Sequence, residues 1–570
     1  MGSNKRIFWG CFIALIATAF GFQVRAQLMG TWASELGLSG TQQGEIFGAG
    51  LWPFAISIIL FSLVIDKIGY GKAMVFGLVC HVIQALVLWK ADSYEMLYWG
   101  SIIGGLGNGT VEAYINPVVA TIFPKEKTKW LAILHAGWPG GLVIAGLLFM
   151  GVAVNDEAGN IVNYGTIILL TLAPVVGYGL ILFGQKFPVN ERVKAGVSFK
   201  EMLQEPGILS WAVVAILISI ELSRALHLGD GAMYALMAIL IIPYAVYVQK
   251  LGRPMFFLLV LVMAPLASTE LGTDSWITPL MTAEFGAAGW NAGWVLIYTS
   301  LIMMILRFFA GPIVHRLAPL NLLAVSSVFA IAGLYLLGSV AGLSMIFLVA
   351  TVYGIGKTFF WPATLGVVAE QFPRGGALTL NMVSGFGMMS VGILGGPWLG
   401  FVQDNDISAS IKAADPAVHE RVVAPKAEKF LGLVEYESVD AAKVTDADTE
   451  VVTQAQNAAK KNVLKTATVL PVSMLIVYIF LIMYFKGRGG YKPVELDGGD
   501  DDADGGDDAG GGDDAGGDDD AGDGKAEFAD GGDDAGGDDD TGGGDDAGDG
   551  DAEVTDGGDD ADGGDESDKG

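Results

Sequence analysis

The stretch LVIDKIG, residues 63–69, closes one apolar run of the sequence, and PIVHRLA, residues 312–318, closes another in the same way. Each ends in a short polar turn, where the pair DK of the first copy matches the pair HR of the second. A chain that repeats itself at such a long interval contains two similar structural units. The sequence therefore predicts two related halves.

The same register aligns EAYINP, residues 112–117, with KTFFWP, residues 357–362, each of which ends an apolar run just before a basic loop. This alignment sets Glu112 opposite Lys357. Both lie deep in apolar runs, where an ionised side chain costs several kcal/mol. Parallel repeats with polar residues near the membrane midplane are typical of alternating-access carriers. We therefore expect Glu112 and Lys357 to form a charge pair across a central cavity.

Apolar runs of about 20 residues, the length that a helix needs to cross the hydrocarbon core, recur along the chain. Six lie in the first part of the chain, at 7–30, 42–65, 73–90, 96–122, 131–153 and 164–184. A closely spaced pair follows at 207–226 and 231–248, and then come six more, at 255–276, 291–313, 320–340, 343–369, 377–401 and 466–486. The predicted fold is an all-α integral membrane protein of about fourteen spans.

The spans divide the chain into four segments. We predict an N-terminal six-helix bundle at 1–184, a central cytoplasmic link with an extra transmembrane hairpin at 185–254, a C-terminal six-helix bundle at 255–486 and an acidic tail at 487–570. The C-terminal bundle includes a polar insert at 402–464, predicted to lie outside the membrane on the side away from the cytoplasm.

The acidic character of the chain belongs to its last segment. The formal net charge is −29, but residues 495–570 hold 33 Asp and Glu against 2 Lys, a charge of −31, so about +2 remains for the rest. This tail of Asp, Gly and Ala has almost nothing apolar to bury, which predicts disorder. Divalent-cation binding is an alternative, although the spacing of a calcium-binding loop is missing. The two cysteines, each inside an apolar run, predict neither disulfides nor a metal site.

Lys and Arg cluster in the connections that fall on one side if the spans alternate, and the positive-inside rule makes that side cytoplasmic. We expect a multi-pass protein of the plasma (bacterial inner) membrane with both termini in the cytoplasm. The N-terminal stretch has the basic start of a signal peptide, but its apolar part is as long as the later spans, which favours a retained first helix.

The stretches LVIDKIGYGK, 63–72, and RFFAGPIVHR, 307–316, resemble the loop motif that the major facilitator superfamily carries in each half. The resemblance covers nearly all of 7–486 and implies the major facilitator fold. The matching residues, which the resemblance places in conformational gating loops, are Asp66, Gly69, Gly71, Lys72, Arg307, Gly311 and Arg316.

The pattern ExxxNPxV at Glu112, Asn116, Pro117 and Val119 is similar to that of the fucose permease-like proton symporters of sugars. The resemblance implies that Glu112 carries protons. Where that family offers a Gln and an Asn to sugar hydroxyls, this chain has His135 and Trp138. Where its first helix has an Asp, this chain has Gln23, Arg25 and Gln27. The remaining candidates for solute binding or coupling are Glu270, Asp274, Lys357 and Trp361.

Several of these candidates have a structural alternative. Glu112 could be a structural acid satisfied by Asn116, and His135 could face a loop. Trp138, before a Pro and a Gly, could stack on a sugar ring or mark a helix bend. Glu270 and Asp274 line a polar path in the membrane if their helix continues, or lie in the headgroup region if it ends early.

The sequence predicts a secondary active transporter for a small polar solute, such as a sugar or related metabolite, with proton coupling. The alternatives are an exporter or organic-anion carrier that uses Lys357, and a membrane sensor or scaffold without transport. No nucleotide-binding loop or catalytic triad is found, so we expect neither an enzyme nor a bound cofactor, metal or nucleic acid. The expected partners are the solute, protons and the bilayer; the solute's identity, the transport direction, the oligomeric state and any protein partner of the tail stay open.

Overall fold

The computed structural model of the protein describes residues 3–38, 40–157, 160–424, 428–430, 434–440 and 443–496. From residue 497 onward the acidic tail lies outside the described residues, so its disorder stays a prediction. The described part is dominated by helices, as the apolar runs predict.

The N-terminal half contains six spans, three of which are interrupted along their length. The breaks lie between α2 and α3, between α6 and α7, and at Thr171. Two of them are followed at once by a proline, Pro53 or Pro139, whose missing N–H is tolerated in a first helical turn. The helices are α1 Ser3–Leu36, α2 Gly40–Gly48, α3 Trp52–Ile68, α4 Tyr70–Trp89, α5 Tyr94–Ile122, α6 Lys127–Leu134, α7 Gly137–Val152, α8 Tyr164–Leu170 and α9 Leu172–Leu182.

Helix α5 lies at the centre of this half, packed against α1, α3 and α4. Its glycines allow the backbones to approach closely, and Gly109 shows why. A Cβ atom at Gly109 would lie 2.1 Å from the Phe54 carbonyl oxygen of α3, so no larger residue fits there. The close packing holds the polar residues of α5, Glu112 among them, away from lipid.

The central segment forms a surface link followed by the predicted hairpin. It contains α10 Glu191–Lys194, α11 Phe199–Gln204, α12 Gly207–Ala225 and α13 Asp230–Val248. Helix α11 begins with a capping box in which Ser198 and Glu201 satisfy each other's backbone N–H groups. Helix α12 packs against helices of the C-terminal half, whereas α13 buries only Val248. Helix α13 is therefore covered only slightly by the rest of the described chain.

The C-terminal half repeats the architecture, with π-helical turns at Ser268–Gly272 and Val391–Gly395. Its α-helices are α14 Pro254–Ala267, α15 Thr273–Ala287, α16 Gly293–Phe308, α17 Ala310–Arg316, α18 Pro319–Leu337, α19 Leu343–Lys357, α20 Phe360–Gln371, α21 Gly376–Ser390, α22 Gly396–Ala414, α23 Pro416–Val422, α24 Thr449–Thr466 and α25 Val469–Lys486. A short 3₁₀ turn, Pro373–Gly375, precedes α21.

The number of spans agrees with the prediction of an all-α membrane protein of about fourteen. Among the described residues, twelve helices are long and apolar enough to cross a bilayer, and α16 with α17, bent by 66°, makes a thirteenth. Helix α5 has 29 residues but is too rich in glycine and polar residues to count by that criterion. Because it packs along α3 and α4, counting it as a span gives fourteen.

Both ends of the described chain lie on one face of the bundle, which we call the termini face. Phe8 at the start of α1 packs on Phe123 and Trp130 of the α5–α6 connection. After α25, Tyr491 donates a hydrogen bond to Glu370 at the end of α20, and the Val494 N–H donates to the Glu370 carbonyl. The opposite face, which carries the α15–α16 connection and the insert, is the distal face.

The insert at 402–464 forms a small structured cluster on the distal face. Helix α22 continues without a break to Ala414, beyond the predicted end of its span at 401. A two-stranded antiparallel hairpin, β1 Glu428–Phe430 and β2 Val434–Tyr436, lies between α23 and α24. The cluster has its own apolar core, formed by Ile407, Ile411, Val418, Val422, Val452, Ala455 and Ala459.

Candidate functional site

A cavity of about 280 Å³ lies between the two halves, toward the distal face. Its polar groups are two glutamines of α1, an aspartate of α15 and an asparagine of the α15–α16 connection; the rest of the wall is aromatic or aliphatic. It is lined by Phe22, Gln23, Ala26, Gln27, Phe47, Leu51, Trp138, Leu142, Leu271, Asp274, Asn291, Gly293, Leu296, Met388 and Val391. The arrangement suits a small solute with several hydrogen-bonding groups.

Lys357 forms an ion pair with Asp274, so the expected pair with Glu112 is wrong. The lysine ends α19 and is fully buried, with its ammonium 5.3 Å from the centre of the Tyr353 ring. The π-helical turn just before α15 adds a residue to the helical register, and Asp274 follows it by two positions. In this register, Asp274 meets Lys357 at the base of the cavity.

Glu270 and Arg307 form a second buried ion pair, with Arg307 Nη2 2.7 Å from Glu270 Oε1. Arg307 also donates to two carbonyls, through Nε to Thr358 at 2.6 Å and through Nη1 to His135 at 2.9 Å. The other oxygen of Glu270 accepts the N–H of Trp361 at 3.2 Å. Arg307 thereby joins the C-terminal half to the break between α6 and α7 of the N-terminal half.

This position corrects the interpretation of Arg307 as a gating-loop residue. Arg307 lies in the last turn of α16, before the 66° bend to α17, and its side chain is 1% exposed. The motif alone could not show this, because the bend separates Arg307 from Gly311 and Arg316, which lie in the short helix α17. Glu270 and Asp274 likewise lie inside the helix bundle, which excludes the headgroup alternative for both.

Glu112 is buried in α5 without a cationic partner of the Lys or Arg type among the described residues. Its Oε2 accepts a hydrogen bond of 2.7 Å from Asn116 Nδ2, one turn further along the helix. His135 Nε2 lies 3.9 Å from the same oxygen. The other ring nitrogen, Nδ1, is 3.0 Å from the Leu131 carbonyl and so carries the hydrogen, which leaves a lone pair on Nε2 facing Glu112.

A second, much smaller cavity of about 20 Å³ joins these groups beneath the first. It is lined by Phe54, Ile58, Glu112, His135, Trp138, Glu270, Leu271, Arg307, Trp361 and Met388. Trp138 lines both cavities, and so lies between the solute-sized space and the carboxylate. The three carboxylates and two cations of the site give a net charge of −1 if Glu112 is ionised and zero if it is protonated.

The remaining candidates fall into two groups. Gln23 lines the larger cavity, and Trp361 lines the smaller one. Asn116 holds Glu112 and touches neither. Arg25 does not line the central cavity; its guanidinium lies against Gly50, at the break between α2 and α3, and the residue lines a separate small cavity.

The residues that were predicted to form a gating motif lie in or beside a network that holds the termini face closed in this structure. Asp66 pairs with Arg192 at 2.6 Å, and Gly69 makes the α3–α4 turn at φ 85°. Gly71 lies beside Phe187, Gly311 lies beside Lys129, and Lys72 and Arg316 are exposed.

Contacts between the halves complete this closure, and sequence reasoning missed them. Lys127 pairs with Glu191 at 2.6 Å and donates to the Ala369 carbonyl at 3.3 Å. Thr128 donates to Glu370 at 2.5 Å. The sequence contained one signal for these contacts: the residues lie at or beside the corresponding basic loops of the two halves.

One family model matches part of the chain. The model of the Major Facilitator Superfamily matches residues 11–269, and no curated protein sequence matches the chain. Among solved structures, the chain is similar to the transporter FucP in the outward conformation, at 15% identity and a TM-score of 0.51, over 82% of this chain and 98% of FucP.

Two other structures show the same fold. The proton:xylose symporter XylE shares 12% identity at a TM-score of 0.54, over 84% of this chain and 95% of XylE. The human organic anion transporter MFSD10 shares 13% identity at a TM-score of 0.53, over 84% of this chain and all of MFSD10. At these identities the similarity establishes the architecture alone.

Proposed function

We propose that the chain is a secondary transporter of the major facilitator superfamily, which couples the movement of a small, uncharged polar solute such as a sugar to that of protons. The observation that carries the proposal is the lack of a cationic partner for Glu112. It is the only one of the three central carboxylates, among the described residues, without a Lys or Arg partner. Protonation of Glu112 brings the site to neutrality, so proton binding and release there cost less than at a paired acid.

The proton path is supported by the lone pair of His135. A protonated Glu112 can donate to Nε2 after a movement of about 1 Å, since a hydrogen bond to nitrogen needs roughly 2.8–3.0 Å. The His135 carbonyl is held by Arg307 of the other half. A relative movement of the halves would therefore shift His135 against Glu112, which links the protonation state to the conformation of the carrier.

The choice of an uncharged solute rests on the cavity lining. Gln23, Gln27 and Asn291 both donate and accept hydrogen bonds, as hydroxyl groups require. Trp138 supplies an aromatic wall. The volume of about 280 Å³ lies just below the range of typical ligand sites, which begins at roughly 300 Å³, and so favours a small solute.

The alternatives are less well supported. An organic-anion carrier needs a free cation at the cavity, but Lys357 is neutralised by Asp274 and Arg307 by Glu270. A scaffold without transport has no use for five charged side chains at its centre, each of which costs stability. We also propose that the termini face is cytoplasmic, because its loops carry the excess of Lys and Arg.

The test is uptake into proteoliposomes across a panel of neutral sugars and organic acids, with and without an inward proton gradient. We expect a neutral sugar to accumulate only with the gradient. Glu112→Gln should abolish this accumulation but retain exchange of labelled solute across equal concentrations. The matched control, Glu95→Gln, changes an exposed acid at the start of the same helix and should leave uptake unchanged. Gradient-driven accumulation by Glu112→Gln would overturn the coupling role.

A further inference from the structure

Arg25 is a buried arginine of the N-terminal half for which the described residues contain no acidic partner. Its residue is 2% exposed, and its Nε has no hydrogen-bond partner. The guanidinium lies against the break between α2 and α3, where a Cβ atom on Gly50 would be 1.7 Å from Nη1. Arg307, which is equally buried, has a carboxylate and two carbonyls. Arg25 therefore needs a counter-charge from elsewhere.

A cavity of about 20 Å³ adjoins Arg25, enclosed by α1, α4 and the α8–α9 connection. The indole N–H of Trp32, two turns along α1, reaches this region and has no hydrogen-bond partner. The amide of Gln84 lies over Gly104, where a Cβ atom would be 2.1 Å from its Nε2, and it also lines the cavity. Three residues with hydrogen-bond donors, Arg25, Trp32 and Gln84, thus line one small space.

The other polar groups of the cavity wall are already satisfied. His81 is bonded through Nε2 to Asn108 at 2.8 Å and through Nδ1 to Tyr178 at 3.1 Å. The hydroxyl of Thr171 donates to the Ile168 carbonyl. None of the residues that line the cavity is an Asp or a Glu. The wall therefore carries one positive charge, that of Arg25, and no negative charge.

From these contacts we propose that the cavity binds a monatomic anion of the chloride class, held by Arg25, Trp32 and Gln84. A buried cation without a partner costs several kcal/mol, and a bound anion removes most of that cost. A volume of about 20 Å³ holds roughly one water-sized particle. Sulfate, phosphate and gluconate are too large. The anion site lies apart from the central cavity and does not depend on which solute is carried.

The first test is thermal unfolding of the purified full-length protein at constant ionic strength in chloride, bromide, gluconate or sulfate. A ligand that binds only the folded state raises the unfolding midpoint as its concentration increases. We expect chloride and bromide to raise the midpoint more than gluconate does, and to do so at concentrations where the general stabilising effect of sulfate is small. Equal midpoints in all four salts would overturn the proposal.

Two variants separate site binding from general salt effects. Trp32→Phe keeps the ring but removes the N–H, and should weaken the apparent halide affinity by about tenfold, the value of one hydrogen bond to an ion. Trp99→Phe, at a tryptophan that is 60% exposed, is the control and should respond as the parent does. The same halide response in both variants would mean that the effect is not at this site.

Gln84→Glu gives the sharpest result, because its carboxylate replaces the amide at nearly the same shape, supplies a negative charge to the cavity that Arg25 lines, and repels a halide. This variant should be as stable in gluconate as the parent is in chloride, and should no longer respond to halide. Bromide in crystals of the parent should give an anomalous peak beside Arg25 that Gln84→Glu lacks. A Gln84→Glu protein that is still stabilised by halide, or the absence of a peak in the parent, would refute the assignment.

Discussion

The two halves share a fold but treat their buried charges differently. In the C-terminal half, Glu270 pairs with Arg307 and Asp274 with Lys357, so each ion is neutralised within hydrogen-bonding distance. In the N-terminal half, Glu112 and Arg25 are equally buried and neither has an oppositely charged Lys, Arg, Asp or Glu partner among the described residues. A buried ion that has a partner is stabilised by it, whereas a buried ion without one must lose its charge or recruit a counter-ion.

We infer from this difference that the two halves contribute different kinds of groups to the site. The C-terminal half supplies a fixed polar framework, which includes the cavity-lining Asp274 and the Arg307 link to His135. The N-terminal half supplies the groups whose charge can vary. Mutations of the central charged residues should therefore destabilise the protein strongly in the C-terminal half, where they leave a buried charge without a partner, and only mildly in the N-terminal half. Four measurements test this expectation.

The largest effect is expected at Glu270. Glu270→Gln leaves Arg307 charged and fully buried, and breaking such a pair costs about 3–5 kcal/mol. We expect a large drop in the yield of folded protein and in the unfolding midpoint. Glu270→Gln with Arg307→Met should recover part of the loss, because no charge is then stranded. A single variant as stable as the parent would show that the pair is not needed for the fold.

The next effect concerns closure of the termini face. Asp66→Asn removes the charge opposite Arg192, and a hydrogen bond to a charged group is worth about 1.5–3 kcal/mol. The population open to the termini face should increase. The measurement is thiol labelling of Ala369→Cys in a background without Cys11 and Cys80, since Ala369 is only 6% exposed in the closed state.

Lys72→Met is the control for this measurement, because Lys72 lies in the same loop but is exposed. It should label at the parental rate. Faster labelling in Lys72→Met as well would mean that the loop as a whole, rather than the ion pair of Asp66, holds the face closed.

The third measurement asks which acid is the partner of Lys357. Asp274→Asn and Lys357→Met should show a coupling energy on the order of 1 kcal/mol or more in a double-mutant cycle on unfolding, because the two side chains touch. Glu112→Gln and Lys357→Met should be additive within about 0.5 kcal/mol. The reverse ranking would restore the Glu112–Lys357 pair that the repeat alone predicts.

The repeat predicted the helices of the site correctly but not the pairing within it. Apolar length and internal symmetry define which spans correspond, and those features are visible in the sequence. The partner of Lys357 depends on the π-helical turn at 268–272, which inserts one residue into the register of Asp274. Such a turn is stabilised by tertiary packing, so the apolar pattern does not reveal it.

Arg25 and Arg307 illustrate the same limit. The sequence showed that both are arginines in or beside apolar runs, and the motif suggested a loop for Arg307 and a cavity for Arg25. The position of Arg307 is set by the 66° bend after α16, and that of Arg25 by the close approach of its guanidinium to Gly50. Both depend on contacts with other helices rather than on local sequence.

The smallest effect on stability is expected at Glu112, where the effect on function should be greatest. Glu112→Gln keeps the shape of the side chain and can accept the hydrogen bond from Asn116 through its own carbonyl oxygen. Because it mimics the protonated acid and leaves no ion unpaired, the unfolding midpoint should change by less than the equivalent of about 1 kcal/mol. A destabilisation as large as that of Glu270→Gln would mean that Glu112 is ionised and paired in the resting protein. The two halves would then not differ in the way proposed, and proton coupling would have to be sought at another group.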